Sequence, residues 1–280
     1  MAVSVSAQRS RQLLARRLVE IRDDARLNSR GLAARLGWYE SKVSRIVNAV
    51  TLPSAADIEA WCTVCDAAEE IPALLAALRN VEAMFTEWRR LMRGGLARVQ
   101  AGLLPLYEAH TRFRAYSSST IPGMLQTAGY AEAVLRTFQQ REGLRDDVAA
   151  AVAARLSRQE LLRDAGRQFA FVIEEHALRT AVADAETMSV QLGHLLTAVG
   201  MPNVSVGIAP MTTGRAHWPM EDFWLLGDSV VKVEMTSGEL SVTEPAEVQA
   251  YAAMFARLAD QAVNGAAARR LIAAALESLD

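Results

Sequence analysis

Over the first eighty residues, apolar positions recur every three to four residues, the period of helices with one buried face. Leu13, Leu14, Leu18 and Ile21 predict a helix over Ser6 to Arg26, with arginines on its other faces. Leu32, Ala33 and Leu36 predict a second, capped by Asn28 or Ser29 and stopped by Gly37, and a third follows from about Glu40 to Asn48. Thr51-Leu52-Pro53-Ser54 reads as a turn. Ser54 then caps a helix through Ile58, Trp61 and Cys65, and Pro72 opens another through Leu74, Leu75 and Leu78. Five short helices in so few residues predict a compact all-α module over residues 1–80.

From Val81 the recurrence Met84, Phe85, Trp88, Leu91 and Met92 predicts an amphipathic helix, broken at Gly94-Gly95 and resumed through Leu96, Val99, Leu103, Leu106 and His110. Residues 81–105 are therefore expected to be a helical connector whose apolar stripe needs a partner. Beyond it, over 106–280, two periods alternate. Ala128 to Phe138, Val148 to Leu162 and Met188 to Val199 read as helices. Phe169 to Ile173, Val204 to Ala209, Phe223 to Leu226 and Val230 to Met235 are short β-branched or aromatic runs, with Gly227-Asp228 as a hairpin turn between the last two. Pro245 begins a helix through Val248, Tyr251, Phe255 and Leu258, and a last one runs through Leu271, Ile272 and Leu276. The expected fold class is mostly α with a small sheet: an N-terminal all-α helix-turn-helix domain and a C-terminal α+β domain that senses a ligand or binds a protein.

The stretch NSRGLAARLGWYESKVSRIVN, Asn28 to Asn48, carries the clearest functional signal. Ala33 allows a close helix crossing, Gly37 four residues on supplies the left-handed turn, and Val43 and Ile46 seat a second helix; this is helix-turn-helix spacing. Ser41, Ser44, Arg45 and Asn48 share the face opposite Val43, Ile46 and Val47. Short hydroxyls, an amide and a guanidinium suit base edges and phosphates, with Tyr39, Glu40 and Lys42 at the helix entrance. Lys42, Arg45 and Arg30 are expected to attract phosphate, and Ser41, Ser44 and Asn48 to reach bases or sugars of double-stranded DNA.

Composition adds a charge division. Residues 1–50 hold ten Lys or Arg against four Asp or Glu, while the other 230 hold 20 against 28. A basic head on an acidic body places only the head against a polyanion. Only Lys42 and Lys232 accompany 28 arginines, in an alanine-rich chain, a usage like that of high-GC bacteria. With no apolar leader and no run long enough to cross a bilayer, the protein is expected to be cytoplasmic and to have no membrane partner. Two cysteines make a disulfide framework implausible.

LAARLGWYESKVSRI resembles the xenobiotic-response-element type of helix-turn-helix. IPGMLQTAGYAEAVL at Ile121 to Leu135, RQELL at Arg158 to Leu162, VIEEHALR at Val172 to Arg179 and the Phe223 to Met235 hairpin resemble the C-terminal domain of unknown function of WhiJ-like actinobacterial regulators. The resemblance implies a DNA-binding transcriptional regulator, often encoded beside a small partner protein that its C-terminal domain could bind. It departs from the pattern where Val47, Asn48 and Ala49 replace a glutamate, a variable residue and a glycine. Ala49 must then take the left-handed conformation at the cost of its Cβ, or the helix must end differently.

Other candidates have plainer readings. Cys62 and Cys65, at i and i+3 beside Trp61, have core spacing, and no further ligands accompany them for a metal. Glu174-Glu175-His176 ends a strand and fits an ion pair with Arg179 better than acid–base catalysis. Arg114, Tyr116, His217, Trp218 and Trp224 are candidate partner- or ligand-binding residues, with Ser117-Ser118-Ser119 as a binding lip. The expectation is a homodimeric regulator with no catalytic residues, no metal and no cofactor; the alternative is an antitoxin-like protein-interaction module with a degenerate helix-turn-helix.

Overall fold

The structure, a computed structural model, describes residues 5–87, 92–212, 214–236 and 238–279. It divides into two units, Met1–Thr86 and Glu87–Asp280. The first is helical: α1 (Val5–Asp24), α2 (Ser29–Leu36), α3 (Glu40–Val47), α4 (Ala55–Val64) and α5 (Ile71–Met84). Its core follows the apolar set expected from spacing, with Leu14, Leu18, Ile21, Leu32, Val43, Ile46, Ile58, Trp61, Leu74 and Leu78 all buried, but Leu13, expected on the same stripe, is 55% exposed because it falls one position off the buried face of α1. Trp61 stands at the centre, fully buried. Its indole Nε1 donates to the Leu18 carbonyl at 3.1 Å, so the polar atom of a large apolar ring is satisfied inside the core.

Local chemistry sets the helix ends. The Asn28 side chain accepts from the Gly31 amide at 2.8 Å to start α2, and Gly37 at φ 66° ends it. Ser54 starts α4 with a reciprocal capping box: its hydroxyl accepts from the Asp57 amide, and the Asp57 carboxylate accepts from the Ser54 amide.

The continuous helix expected across Met84 to Met92 does not form. The chain leaves α5 after Met84 into an extended segment, β1 (Phe85–Glu87), while Trp88 and Leu91 lie outside the described residues. The helical pattern resumes in α6 (Leu96–Gly102) and α7 (Leu104–Glu108). Gly95, at φ 88°, precedes α6, and the Asp147 carboxylate accepts from the Leu96 and Ala97 amides at 3.1 and 3.2 Å. A carboxylate on two orphan amides caps this helix from another part of the chain.

The second unit is α+β. Its strands are β2 (Arg112–Ser117), β3 (Gln168–Glu174), β4 (Val204–Ala209), β5 (Phe223–Leu226), β6 (Val230–Met235) and β7 (Gly238–Val242). They run in the order β7-β6-β5-β2-β3-β4. β2, β3 and β4 are parallel, and β5, β6 and β7 pair antiparallel from the other side of β2. The parallel pairs require crossovers, supplied by α8 (Ala128–Glu142) with α9 (Val148–Gln159), and by α10 (Glu175–Arg179) with α11 (Ala185–Ala198). α12 (Pro245–Gln261) and α13 (Gly265–Glu277) complete it.

The sheet is larger than a reading of four strands implied. β2, which no expected strand covered and whose Ser117 was expected in a binding lip, is its central strand.

Period two splits the sheet residues between faces. Phe113, Phe169, Phe171 and Trp224 lie on one, joined by Tyr107 of α7: Phe113 stacks on Phe169 at 4.6 Å, and Trp224 meets Phe171 edge-on at 5.9 Å. Tyr116 and Phe223 lie on the other, where Phe223 meets Tyr251 of α12.

Candidate functional site

In the first unit, α3 has one buried and one open face. Val43 and Ile46 are buried to within 1% of their surface, whereas Tyr39, Glu40, Ser41, Ser44, Arg45 and Asn48 are exposed, Tyr39 by 86%. Arg30 and Arg35 of α2 are exposed as well. Arg30, Arg35 and Arg45 make no hydrogen bond or ion pair among the described residues, so their guanidinium groups are available to an anion.

Two of the residues expected at this surface are differently engaged. Lys42 is half-buried: its Nζ lies 2.6 Å from Asp57 Oδ1 and 3.9 Å from the centre of the Trp38 ring. It joins α3 to α4. Burial would raise the Asp57 carboxyl, but hydrogen bonds from Lys42 and Ser54 outweigh it and hold the group below the usual carboxylate range. Asn48 folds back, its Nδ2 donating to the Ser44 carbonyl at 2.8 Å.

The departure at the end of α3 takes the strained form. Ala49 sits at φ 54°, and the Val50 and Thr51 amides both donate to the Arg45 carbonyl, at 2.9 and 3.1 Å. The return hydrogen bonds of a glycine-type helix end are kept with a Cβ in place. Arg11 of α1 donates to the Val50 carbonyl at 3.2 Å and ties down the same turn. Cys62 and Cys65 are buried free thiols; burial pushes Cys62 up to about 11, so neither is poised as a nucleophile.

In the second unit, the five candidate residues are brought together only in part: Tyr116 and Trp224 line one recess, while Arg114, His217 and Trp218 stand apart from it. Arg114 donates to the Gly227 carbonyl and to Asp228, and so braces the β5–β6 turn. Tyr116, on the same strand face, donates its hydroxyl to Glu174 at 2.9 Å. Trp224 is on the other sheet face. His217 and Trp218 lie in the chain between β4 and β5; the His217 amide donates to Gln261, and Trp218 is 66% exposed. Glu174 pairs with Arg215, and Glu175 pairs with Arg179 at 3.0 Å and also accepts from the Met211 amide. Both carboxylates are structural anchors.

A different group converges instead. Between α6, α7, α9 and the Trp224 face of β5, β6 and β7 lies a recess of about 150 Å³. Arg155 and Arg158, one turn apart on α9, line it with Gln100 and Gln126. Arg155 donates to Gln100 Oε1 at 3.1 Å and Gln126 Oε1 at 2.5 Å. Arg158 donates to the Gln100 carbonyl at 3.0 Å and lies 5.0 Å from the Tyr107 ring. Burial lowers both, Arg155 to about 10.

Asp222, Lys232, Glu234 and Glu239 line the sheet side. Lys232 bonds Glu239 at 2.5 Å, and Asp222 accepts from Ser117 and the Ser118 amide. Glu234 lines the recess with its side chain open to solvent, and the protein packed around it, with Glu239 and Asp222, pushes its carboxyl up against the opposing pull of Arg155 and Arg158.

The IPGMLQT segment frames this recess. Gln126 Nε2 donates to the Ile121 carbonyl at 2.7 Å while its oxygen receives Arg155, and the Ile121 amide donates to the Tyr130 hydroxyl. Sequence reasoning named Tyr116, Ser117 and Trp224 of this lining but passed over its charged and amide groups. The available signal was a pair of arginines at i and i+3 in the alanine-rich α9, and a Lys-x-Glu alternation on a strand.

Among the described residues no group of three or more His, Cys, Asp or Glu could hold a metal ion, and no helix is long and apolar enough to cross a membrane. Two family models match the chain: one described as a helix-turn-helix domain, over residues 13–78, and one as a domain of unknown function, DUF5753, over residues 103–274. No curated protein matches it.

Proposed function

Because the chain belongs to the family of the DUF5753 domain of unknown function and carries a helix-turn-helix domain before it, we propose that it is a transcriptional regulator that reads DNA with α3. The observation that carries this reading is the two-faced α3: Val43 and Ile46 lock it into the core, while Ser41, Ser44, Arg45 and Asn48 stand open beside the unpaired Arg30 and Arg35. Arg30, Arg35 and Arg45 meet phosphates, and the short polar side chains with Tyr39 and Glu40 meet sugars and base edges. Lys42 contributes mainly by fixing α3 on α4.

In the finer reading the protein is a regulator of the xenobiotic-response-element type, related to WhiJ-like actinobacterial proteins, and acts in the cytoplasm as a homodimer. Two α3 helices then address half-sites about 34 Å apart. The second unit takes a small molecule or a small neighbouring protein, which shifts regulation only so far as it binds one DNA-competent arrangement better than another.

The test is binding of the purified protein to its own promoter region against a scrambled fragment, at low and moderate salt. A specific shift that weakens with salt is expected, and Arg45→Ala should lower affinity for all sequences. Absence of specific binding, with or without the neighbouring small protein, overturns the regulator in favour of a protein-interaction module.

A further inference from the structure

The recess in the second unit contains charges that the fold itself does not pair. Arg155 and Arg158 receive only amide and carbonyl oxygens, from Gln100 and Gln126. Neither has a carboxylate partner among the described residues. Arg158 is 3% exposed, yet its Nε has no acceptor. A buried guanidinium without a counter-ion and with an unmet nitrogen is costly, and an anion entering the recess would offset that cost.

The sheet side holds the complementary surplus. Of its three carboxylates, Glu239 is matched by Lys232, and Asp222 is satisfied by Ser117 and Ser118. Glu234 makes no hydrogen bond or ion pair among the described residues, and it feels Arg155 and Arg158 across the recess without touching them. A simple anion would settle the arginines but crowd Glu234, and a simple cation would do the reverse. A molecule with both signs answers both walls.

Size and polarity narrow it further. A space of about 150 Å³ holds several waters or one small molecule. Apart from Ser117 and Thr120, the rest of the lining is mainly apolar or aromatic, with Leu103, Leu106, Tyr107, Met124, Val134 and Trp224. Such a wall favours a hydrocarbon or aromatic side chain.

We propose that this recess binds an amino-acid-type zwitterion with an apolar side chain, its carboxylate on Arg155 and Arg158, its ammonium at Glu234, and its side chain against Tyr107 and Trp224. This deepens the sensing role given above to the second unit and rests on that reading for its regulatory meaning alone.

The experiment is calorimetric titration and thermal unfolding of the full chain with L-leucine, L-isoleucine, L-valine, L-methionine, L-phenylalanine, L-tyrosine and L-tryptophan. At least one should bind one-to-one and raise the unfolding temperature. Its analogues lacking the ammonium or the carboxylate, such as 3-phenylpropanoate and phenethylamine for phenylalanine, should bind at least about tenfold more weakly. Glu234→Gln should lose a similar factor while the ligand-free protein unfolds as before, since Glu234 holds nothing in the fold; Arg155→Gln should weaken binding too.

No binding by any of the seven at millimolar concentration overturns the proposal. So does equal binding of the acid alone, or binding untouched by Glu234→Gln. Promoter binding measured alongside separates the two readings: specific DNA binding without amino-acid binding removes this site only, and amino-acid binding without DNA binding removes the regulator only.

Discussion

Ala49 closes α3 at φ 54°, where a Cβ costs about 1–2 kcal/mol, while its buried methyl returns up to about 0.8 kcal/mol. Ala49→Gly should therefore stabilise the first unit by about 0.5 kcal/mol, visible as a higher urea midpoint; a lower midpoint would mean the methyl outweighs the strain. This strain was legible, because Ala49 stands where the related pattern has a glycine. The work of Lys42 was not, since its partner Asp57 lies fifteen residues on and reaches it from another helix. Lys42→Ala and Arg45→Ala should part accordingly. The first removes a half-exposed ion pair and a ring contact, costing about 1 kcal/mol or less of stability. The second should leave stability unchanged and reduce the slope of log affinity against log salt by about 1. Equal effects of the two on DNA affinity, with no loss of stability in Lys42→Ala, would return Lys42 to the phosphate contacts.

Single residues also decide where elements begin. Ser54 and Asp57 satisfy each other's amides at the start of α4, and removing the hydroxyl in Ser54→Ala should cost about 1 kcal/mol in chemical denaturation. Asp57 is held below its ordinary range despite burial, so its contribution is present above the unfolded carboxyl value and is lost as the pH falls through the lower folded one. Asp57→Asn should therefore be less stable than the natural protein near neutrality, with the gap closing below about pH 4; a gap constant down to pH 3 would remove the charge from the argument. At this scale legibility follows locality. β4, β5 and β6 were readable to the residue, as β-branched or aromatic runs bounded by proline, glycine or aspartate. β2 was missed although Phe113 and Ala115 alternate with Arg112 and Arg114, because small Ala115 gives that apolar row little weight, and the arginines are spent on Asp228, far along the chain at the β5–β6 turn. α3 and its open face were legible for the same reason that β4 was: its function lies within one period of one element. The recess draws a few residues each from α6, α9, β6 and the IPGMLQT turn, and no local window contains that combination.

For the molecule as a whole, the charge division expected between a basic head and an acidic body falls partly inside the first unit. Residues 51–86 carry six acidic groups against Arg79 alone, so the +6 of residues 1–50 meets an acidic α4–α5 segment within the same compact unit. Some of that opposition is spent internally, in Arg17 with Glu70 at 2.5 Å and Lys42 with Asp57. What remains is polar in the electrostatic sense: free arginines beside α3, and carboxylates on α4 and in the segment between α4 and α5, an arrangement that would orient the unit on a polyanion without a large net charge. The same unit holds its own core among the described residues, where the buried set around Trp61 runs from Leu14 to Leu78. A fragment of residues 1–87 should thus unfold in one cooperative step followed by tryptophan fluorescence, within the size at which a single core suffices. It should keep salt-dependent binding with a slope near −3, from about three phosphate contacts by Arg30, Arg35 and Arg45. Its affinity for the promoter should fall well below that of the full chain, because the fragment lacks the second unit through which two heads would be coupled. Equal affinity would mean that one head suffices and that the second unit adds nothing to recognition, while a gradual, non-cooperative transition would mean that the core around Trp61 needs the rest of the chain to close.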